Sequence, residues 1–77
     1  MMARRLQMFY DKELSRWVVE GRDEWYSMHC GELLQFHING KTLRGRIELG
    51  RASWYIITGD TAFGLLENRR YVVSVDL

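Results

Sequence analysis

Proline is absent from this 77-residue chain, so no segment can act as a polyproline ligand or a stiff spacer. A single cysteine, Cys30, excludes an intramolecular disulfide framework and any zinc site built on paired cysteines. Folding must then rest on packing alone, and an unpaired thiol fits the cytoplasm. No apolar run approaches the roughly 18 to 20 residues needed to span a bilayer. The stretch Leu6-Gln7-Met8-Phe9-Tyr10, after the basic start Met1-Met2-Ala3-Arg4-Arg5, is too short for a signal-peptide core and is broken by Gln7. The expectation is a cytoplasmic protein with no membrane partner. Surplus charge is also missing: the net charge is +1, from eleven basic and ten acidic side chains. A protein built around phosphate neutralisation is usually far more basic. Acids are nevertheless concentrated early, with six against three bases over residues 10 to 32, and the balance reverses to six bases against four acids over residues 33 to 77.

Large side chains are abundant. Hydrophobic residues make up 47% of the chain, with three Trp, four Tyr and three Phe. A domain this small buries only about 60% of the surface its unfolded chain exposes, so its core must be dense in such groups. There is no internal repeat, low-complexity tract or linker. Glycines punctuate short runs of β-branched and aromatic residues, the signal of strands separated by turns. Leu6 to Tyr10 and Arg16 to Glu20 read as a hairpin about the polar turn Asp11 to Ser15. Gly21 to Glu24 reads as a further turn, and Trp25 to Cys30 as an irregular connection.

Asn39-Gly40 lies between two long alternating runs and is the preferred pair for a type I′ hairpin turn, since both residues tolerate positive φ. Folding about it pairs Ile38 with Lys41, Phe36 with Leu43, Leu34 with Gly45 and Glu32 with Ile47. Leu34, Phe36 and Ile38 then share a face with Leu43, Ile47 and Leu49. Leu33, Gln35 and His37 share the other with Thr42, Arg44, Arg46 and Glu48, as a half-buried antiparallel pair requires. Gly45 points inward in this register, which marks a bulge or a bend. Ser53 to Thr58 and Arg70 to Val75 are further strands. Asp60 to Asn68 reads as a loop leading into a short strand. The fold predicted is all-β: a single small SH3-like or OB-like barrel of five to six short antiparallel strands over residues 1–77, closed or nearly closed to dispose of exposed edges.

Several segments together carry a family resemblance: Arg16-Trp17-Val18-Val19, His29-Cys30-Gly31-Glu32, Asn39-Gly40-Lys41, Arg46-Ile47-Glu48 and Trp54-Tyr55-Ile56. In order and spacing the chain resembles a family of small uncharacterised bacterial domains of unknown function, seen mainly in low-GC Gram-positive bacteria and their mobile elements. The resemblance runs from about Leu6 to Val75, and His-Cys-Gly-Glu and Arg-Ile-Glu are its most specific pieces. The chain departs from the family pattern at Thr42-Leu43, where an aromatic residue is favoured, and at Glu67-Asn68, where a glycine is usual. The family supplies a fold but no activity.

His29-Cys30-Gly31-Glu32 is the segment that invites a catalytic reading. A thiol nucleophile needs a base within hydrogen-bond reach, but neighbours on an extended chain point to opposite faces. Cys30 therefore reads as a small buried apolar residue, with Gly31 supplying a backbone conformation. His29, Cys30, Glu32 and His37 include suitable ligand types for a metal but lack any recognised spacing. No catalytic residue, metal or cofactor is expected. Two binding surfaces remain. Asp23, Glu24, Trp25 and Tyr26 combine aromatics with acids, the equipment of a groove for a protein ligand with a basic side chain. Lys41, Arg44, Arg46 and Arg51 could instead form a basic sheet face for nucleic acid, although a solvated face needs charges in any case, and Arg46 and Glu48 can pair with each other. Near-neutral net charge favours the first. The function expected is a non-enzymatic module for binding another protein, or itself, with nucleic-acid binding as the alternative.

Overall fold

Eight strands, each antiparallel to its neighbours, form one sheet in the computed structural model, which describes residues 5–75. The basic start Met1-Met2-Ala3-Arg4 lies outside the described residues. The strands are β1 Leu6–Asp11, β2 Arg16–Glu20, β3 Trp25–Ser27, β4 Leu33–Ile38, β5 Lys41–Leu49, β6 Trp54–Thr58, β7 Thr61–Gly64 and β8 Tyr71–Val75. Their order across the sheet is β3-β2-β1-β8-β4-β5-β6-β7, so the last strand in sequence joins two meanders, β1 to β3 and β4 to β7. Among the described residues no helix is long and apolar enough to cross a membrane.

The central hairpin has the register its turn dictates. Leu34 faces Gly45, Phe36 faces Leu43 and Ile38 faces Lys41. Asn39 and Gly40 both adopt positive φ, 51° and 75°, as a type I′ turn demands. Beyond Leu33 the ladder ends in a bulge: Gly31, at φ 90°, and Glu32 both face Ile47, whose N–H donates to the Glu32 carbonyl at 3.0 Å while its carbonyl accepts from the Gly31 N–H at 2.7 Å. Leu34, Phe36 and Ile47 are buried on the expected face. Leu43 and Leu49 share that face but remain exposed. The reason is overhang: β6 pairs only with Arg46 to Leu49, and β4 only with Lys41 to Arg46, so each end of β5 has a neighbour on one side only.

Curling of the sheet creates the core. A flat sheet would hold β4 and β7 roughly 14 Å apart, three strand spacings. Yet the rings of Phe36 on β4 and Phe63 on β7 lie 6.0 Å apart. Tyr71 sits at the middle, 5.6 Å from Trp17 and 5.7 Å from Phe36, each contact edge to face. Around these rings pack Met8, Val19, Met28, Leu34, Ile47, Trp54, Ile56, Leu65, Val73 and Val75, drawn from both meanders.

Two expectations need correction, the number of strands and the reading of Gly45. The strands number eight rather than five or six, because two short edge strands escape a pattern reading. Trp25–Ser27, taken as irregular, pairs with β2, and Thr61–Gly64 follows directly on the two-residue turn Gly59-Asp60 without an intervening loop. The sheet is open in its hydrogen bonding: among the described residues no ladder joins β3 to β7. Gly45 marks no bulge, since the β4–β5 ladder runs unbroken from Lys41 to Arg46. It marks a close approach instead, because a Cβ there would lie 2.5 Å from Ile56 Cγ2.

Candidate functional site

The outer face of the first meander carries a second, smaller cluster. Val18 is 1% exposed although it points away from the core that holds Trp17 and Val19. Its cross-strand partner on that face is Phe9. The Phe9 ring meets the indole of Trp25 edge to face at 5.2 Å, and the Arg70 guanidinium lies 4.8 Å over the Phe9 ring. Arg70 also reaches Glu20 at 3.5 Å, while Glu20 stands opposite Trp25 in the β2–β3 register. A half-exposed aromatic platform thus covers Val18, with a cation on one side and an acid at its rim.

The acids of the preceding turn adjoin this platform. Residues 21 to 24 close through the Gly21 N–H, which donates to the Glu24 carbonyl at 2.9 Å. Asp23 and Glu24 are exposed. Trp25, at 58% exposure, is the most exposed tryptophan, whereas Trp17 and Trp54 are buried. Tyr26 turns the other way, packs against the core and donates its hydroxyl to Glu24 Oε1 at 2.8 Å. That bond, more than desolvation or the charges of Glu24 and Asp23, raises the Tyr26 phenol above its usual value. Of the four residues picked from sequence, Asp23, Glu24 and Trp25 are thus available to a ligand and Tyr26 acts as their anchor. Phe9, Glu20 and Arg70 were missed. Consecutive buried valines at 18 and 19 were the signal, since both sides of a strand must then be covered.

The basic residues do not converge in the same way. Arg44 and Arg46 share the outer face of β5, opposite Gln35 and Leu33. Arg46 Nε donates to Glu48 Oε2 at 2.7 Å, the local ion pair foreseen from their spacing. Lys41 pairs with Ile38 and, by strand alternation, belongs to the opposite face, while Arg51 lies in the turn beyond β5. On the same outer face His37 is locked, with Nε2 at 2.8 Å from Ser74 Oγ and Nδ1 at 3.2 Å from Thr42 Oγ1.

The His-Cys-Gly-Glu segment is a turn, with Gly31 at φ 90° and the Glu32 N–H donating to the His29 carbonyl at 3.2 Å. Glu32 Oε1 accepts from the His29 N–H at 2.5 Å and lies 3.1 Å from its Nδ1. His29 is therefore held by Glu32 and not by Cys30. The thiol is exposed, contrary to the buried position expected, because the turn projects it from the sheet. Among the described residues no group of three or more His, Cys, Asp or Glu side chains could hold a metal ion.

Comparison with known proteins fixes the lineage. The family model described as a domain of unknown function, DUF5348, matches residues 6–75. The chain belongs to the DUF5348 family. The family resemblance seen in the His-Cys-Gly-Glu, Arg-Ile-Glu and Trp-Tyr segments is therefore real. The DUF5348 chain is also similar to a protein from Ruminococcus gnavus whose crystal structure is known, with 28% identity and a TM-score of 0.68 over 91% of this chain and 97% of that one. No curated protein matches significantly.

Proposed function

We propose that this DUF5348 domain is a small non-enzymatic protein-binding module of SH3-like or OB-like build, and that its ligand is another protein met at Trp25 and the acids Asp23 and Glu24. The observation that carries this reading is the held exposure of Trp25. More than half of a tryptophan faces solvent while its ring is fixed against Phe9. Trp is the residue most enriched among binding hot spots, and a pre-positioned ring loses little freedom on docking. Acids beside it favour a ligand with basic side chains. The nucleic-acid reading is weaker, because Arg46 is engaged by Glu48 and Lys41 belongs to the other face.

A displayed library of random peptides, selected on the purified domain, tests the proposal. Enrichment of basic sequences that Trp25→Ala abolishes, and that Arg44→Ala with Arg46→Ala leaves intact, supports it. Enrichment indifferent to Trp25, or none at all, overturns it. Titration with mixed-sequence single-stranded and duplex nucleic acid at two salt concentrations covers the alternative, for which steep weakening with salt is the mark.

A further inference from the structure

β3 ends the sheet, and the alternation of its ladder with β2 decides which of its main-chain groups already have partners. The Gly21 N–H donates to the Glu24 carbonyl at 2.9 Å, and the Met28 N–H to the Trp17 carbonyl at 2.8 Å. Between these two bonded pairs the register runs Glu20 to Trp25, Val19 to Tyr26 and Val18 to Ser27. Bonded and non-bonded pairs alternate in an antiparallel ladder, so Val19 and Tyr26 exchange the intervening bonds. Trp25 and Ser27 therefore turn their N–H and C=O groups away from β2, toward the open side of the sheet. Among the described residues no strand lies there, and no hydrogen bond takes up these four groups. Two donors and two acceptors at two-residue spacing are what one added strand requires.

We propose that β3 captures an extended basic segment of a partner protein by strand addition, a mode of docking that rests on the protein-binding reading above. Main-chain bonds to Trp25 and Ser27 would hold the segment, and its side chains would alternate between faces. The residue beside Trp25 falls on the outer face with the indole and Glu20, next to the turn bearing Asp23 and Glu24. A lysine or arginine there meets an aromatic face and carboxylates together. Its neighbour, beside Tyr26, falls on the other face and is best aliphatic. The opposite edge is a poorer choice: on β7, whose ladder has the same parity, Ala62 and Gly64 also turn their main chains outward, but the two-residue turn before that strand carries one carboxylate, Asp60, and β7 has no exposed aromatic to match Trp25, whereas β3 has Glu20, Asp23 and Glu24 around its indole.

The test uses an alternating lysine–valine peptide as the probe, with an alternating glutamate–valine peptide as its control, and reads amide hydrogen exchange residue by residue. With the first peptide at roughly ten times its Kd, exchange at Trp25 and Ser27 slows about tenfold, and Tyr26, already bonded to Val19, changes little. The glutamate–valine peptide gives no such protection. Binding of the lysine–valine peptide without protection of those two amides overturns strand addition and leaves the protein-binding reading standing. Absence of binding by that peptide also overturns it, and the library selection then decides the broader reading separately. Equal protection by the acidic peptide overturns the basic character of the occupant. Protection that grows with protein concentration in the absence of peptide assigns the edge to a second copy and overturns the proposal.

Discussion

Phe9 and Trp25 meet edge to face at 5.2 Å, with their planes at 82°, although β2 lies between the strands that carry them. A pair in this geometry is worth about 0.5–1.5 kcal/mol beyond its buried area. The contact restrains a side chain that is otherwise mostly in solvent. Arg70 stacks on Phe9 from 4.8 Å and touches Glu20, so residues from β1, β2, β3 and the entry to β8 are tied together on one outer surface. The surface is thus built from elements distant in sequence, and its exposed part is the indole.

Exposure of Trp25 predicts a simple optical difference. Iodide should quench a distinct fraction of the tryptophan emission in the native protein and almost none in Trp25→Phe, since Trp17 and Trp54 are buried. Stability in urea should change by less than about 1 kcal/mol, because little buried area is lost. Strong quenching that survives the substitution would place another indole in solvent and contradict the fold.

Phe9→Ala should behave differently. Phe9 is half-buried, covers Val18 and supports both Trp25 and Arg70. Its truncation is expected to cost about 1–3 kcal/mol, below the cost for a fully buried ring. It should also weaken capture of Trp25-dependent peptides, because the indole loses its rest. Urea denaturation and a peptide titration on the same variant separate the two effects; unchanged peptide affinity would show that Trp25 needs no support from Phe9.

Alkaline pH gives a third prediction. The Tyr26 phenol ionises above its ordinary value of 10.0, chiefly through the hydrogen bond to Glu24. A group whose pKa is raised by folding favours the native state fully below its unfolded pKa, and that contribution disappears as pH climbs through the folded value. Glu24→Gln keeps an acceptor but removes the charge, so Tyr26 should titrate at lower pH and its share of stability should vanish earlier. Ring-labelled NMR titration resolves Tyr26 from the other tyrosines; an unmoved midpoint in Glu24→Gln would show that the charge of Glu24 has no part in the shift.

Legibility in the sequence followed the strength of local signals. Asn39-Gly40 constrains its own φ angles, and the period-two pattern on either side then sets the whole β4–β5 register. Residues 25 to 27 offered no such pattern, because β3 has three residues and its Trp25 faces solvent on purely tertiary grounds. Thr61 to Gly64 was obscured by Ala62 and Gly64, which strands disfavour, although Thr61 and Phe63 suit one. The curl that brings Phe36 to Phe63 depends on contacts across three strands, and nothing local encodes it. The same holds for the platform: Asp23, Glu24 and Trp25 were readable as neighbours in sequence, while Phe9 and Arg70 join them only through sheet order.

Two glycines on either side of β6 should respond to alanine in opposite directions. At Gly45 a new Cβ would lie 2.5 Å from Ile56 Cγ2 and 3.0 Å from the Ile57 carbonyl oxygen. Ile56 is fully buried and branched, and the carbonyl belongs to the adjacent strand, so neither yields without moving the core. Gly45→Ala should therefore cost about 1–3 kcal/mol, the usual range for overpacking. At Gly64 a Cβ meets nothing within 4 Å, and its φ is not positive. Gly64→Ala should be neutral or stabilise by up to about 1 kcal/mol, as the unfolded chain loses freedom. Paired urea denaturation curves check both at once. A large loss at Gly64 would mean that the β7 edge is covered by another molecule in solution, and a neutral result at Gly45 would mean that β5 and β6 are less closely packed than the Ile56 contact implies.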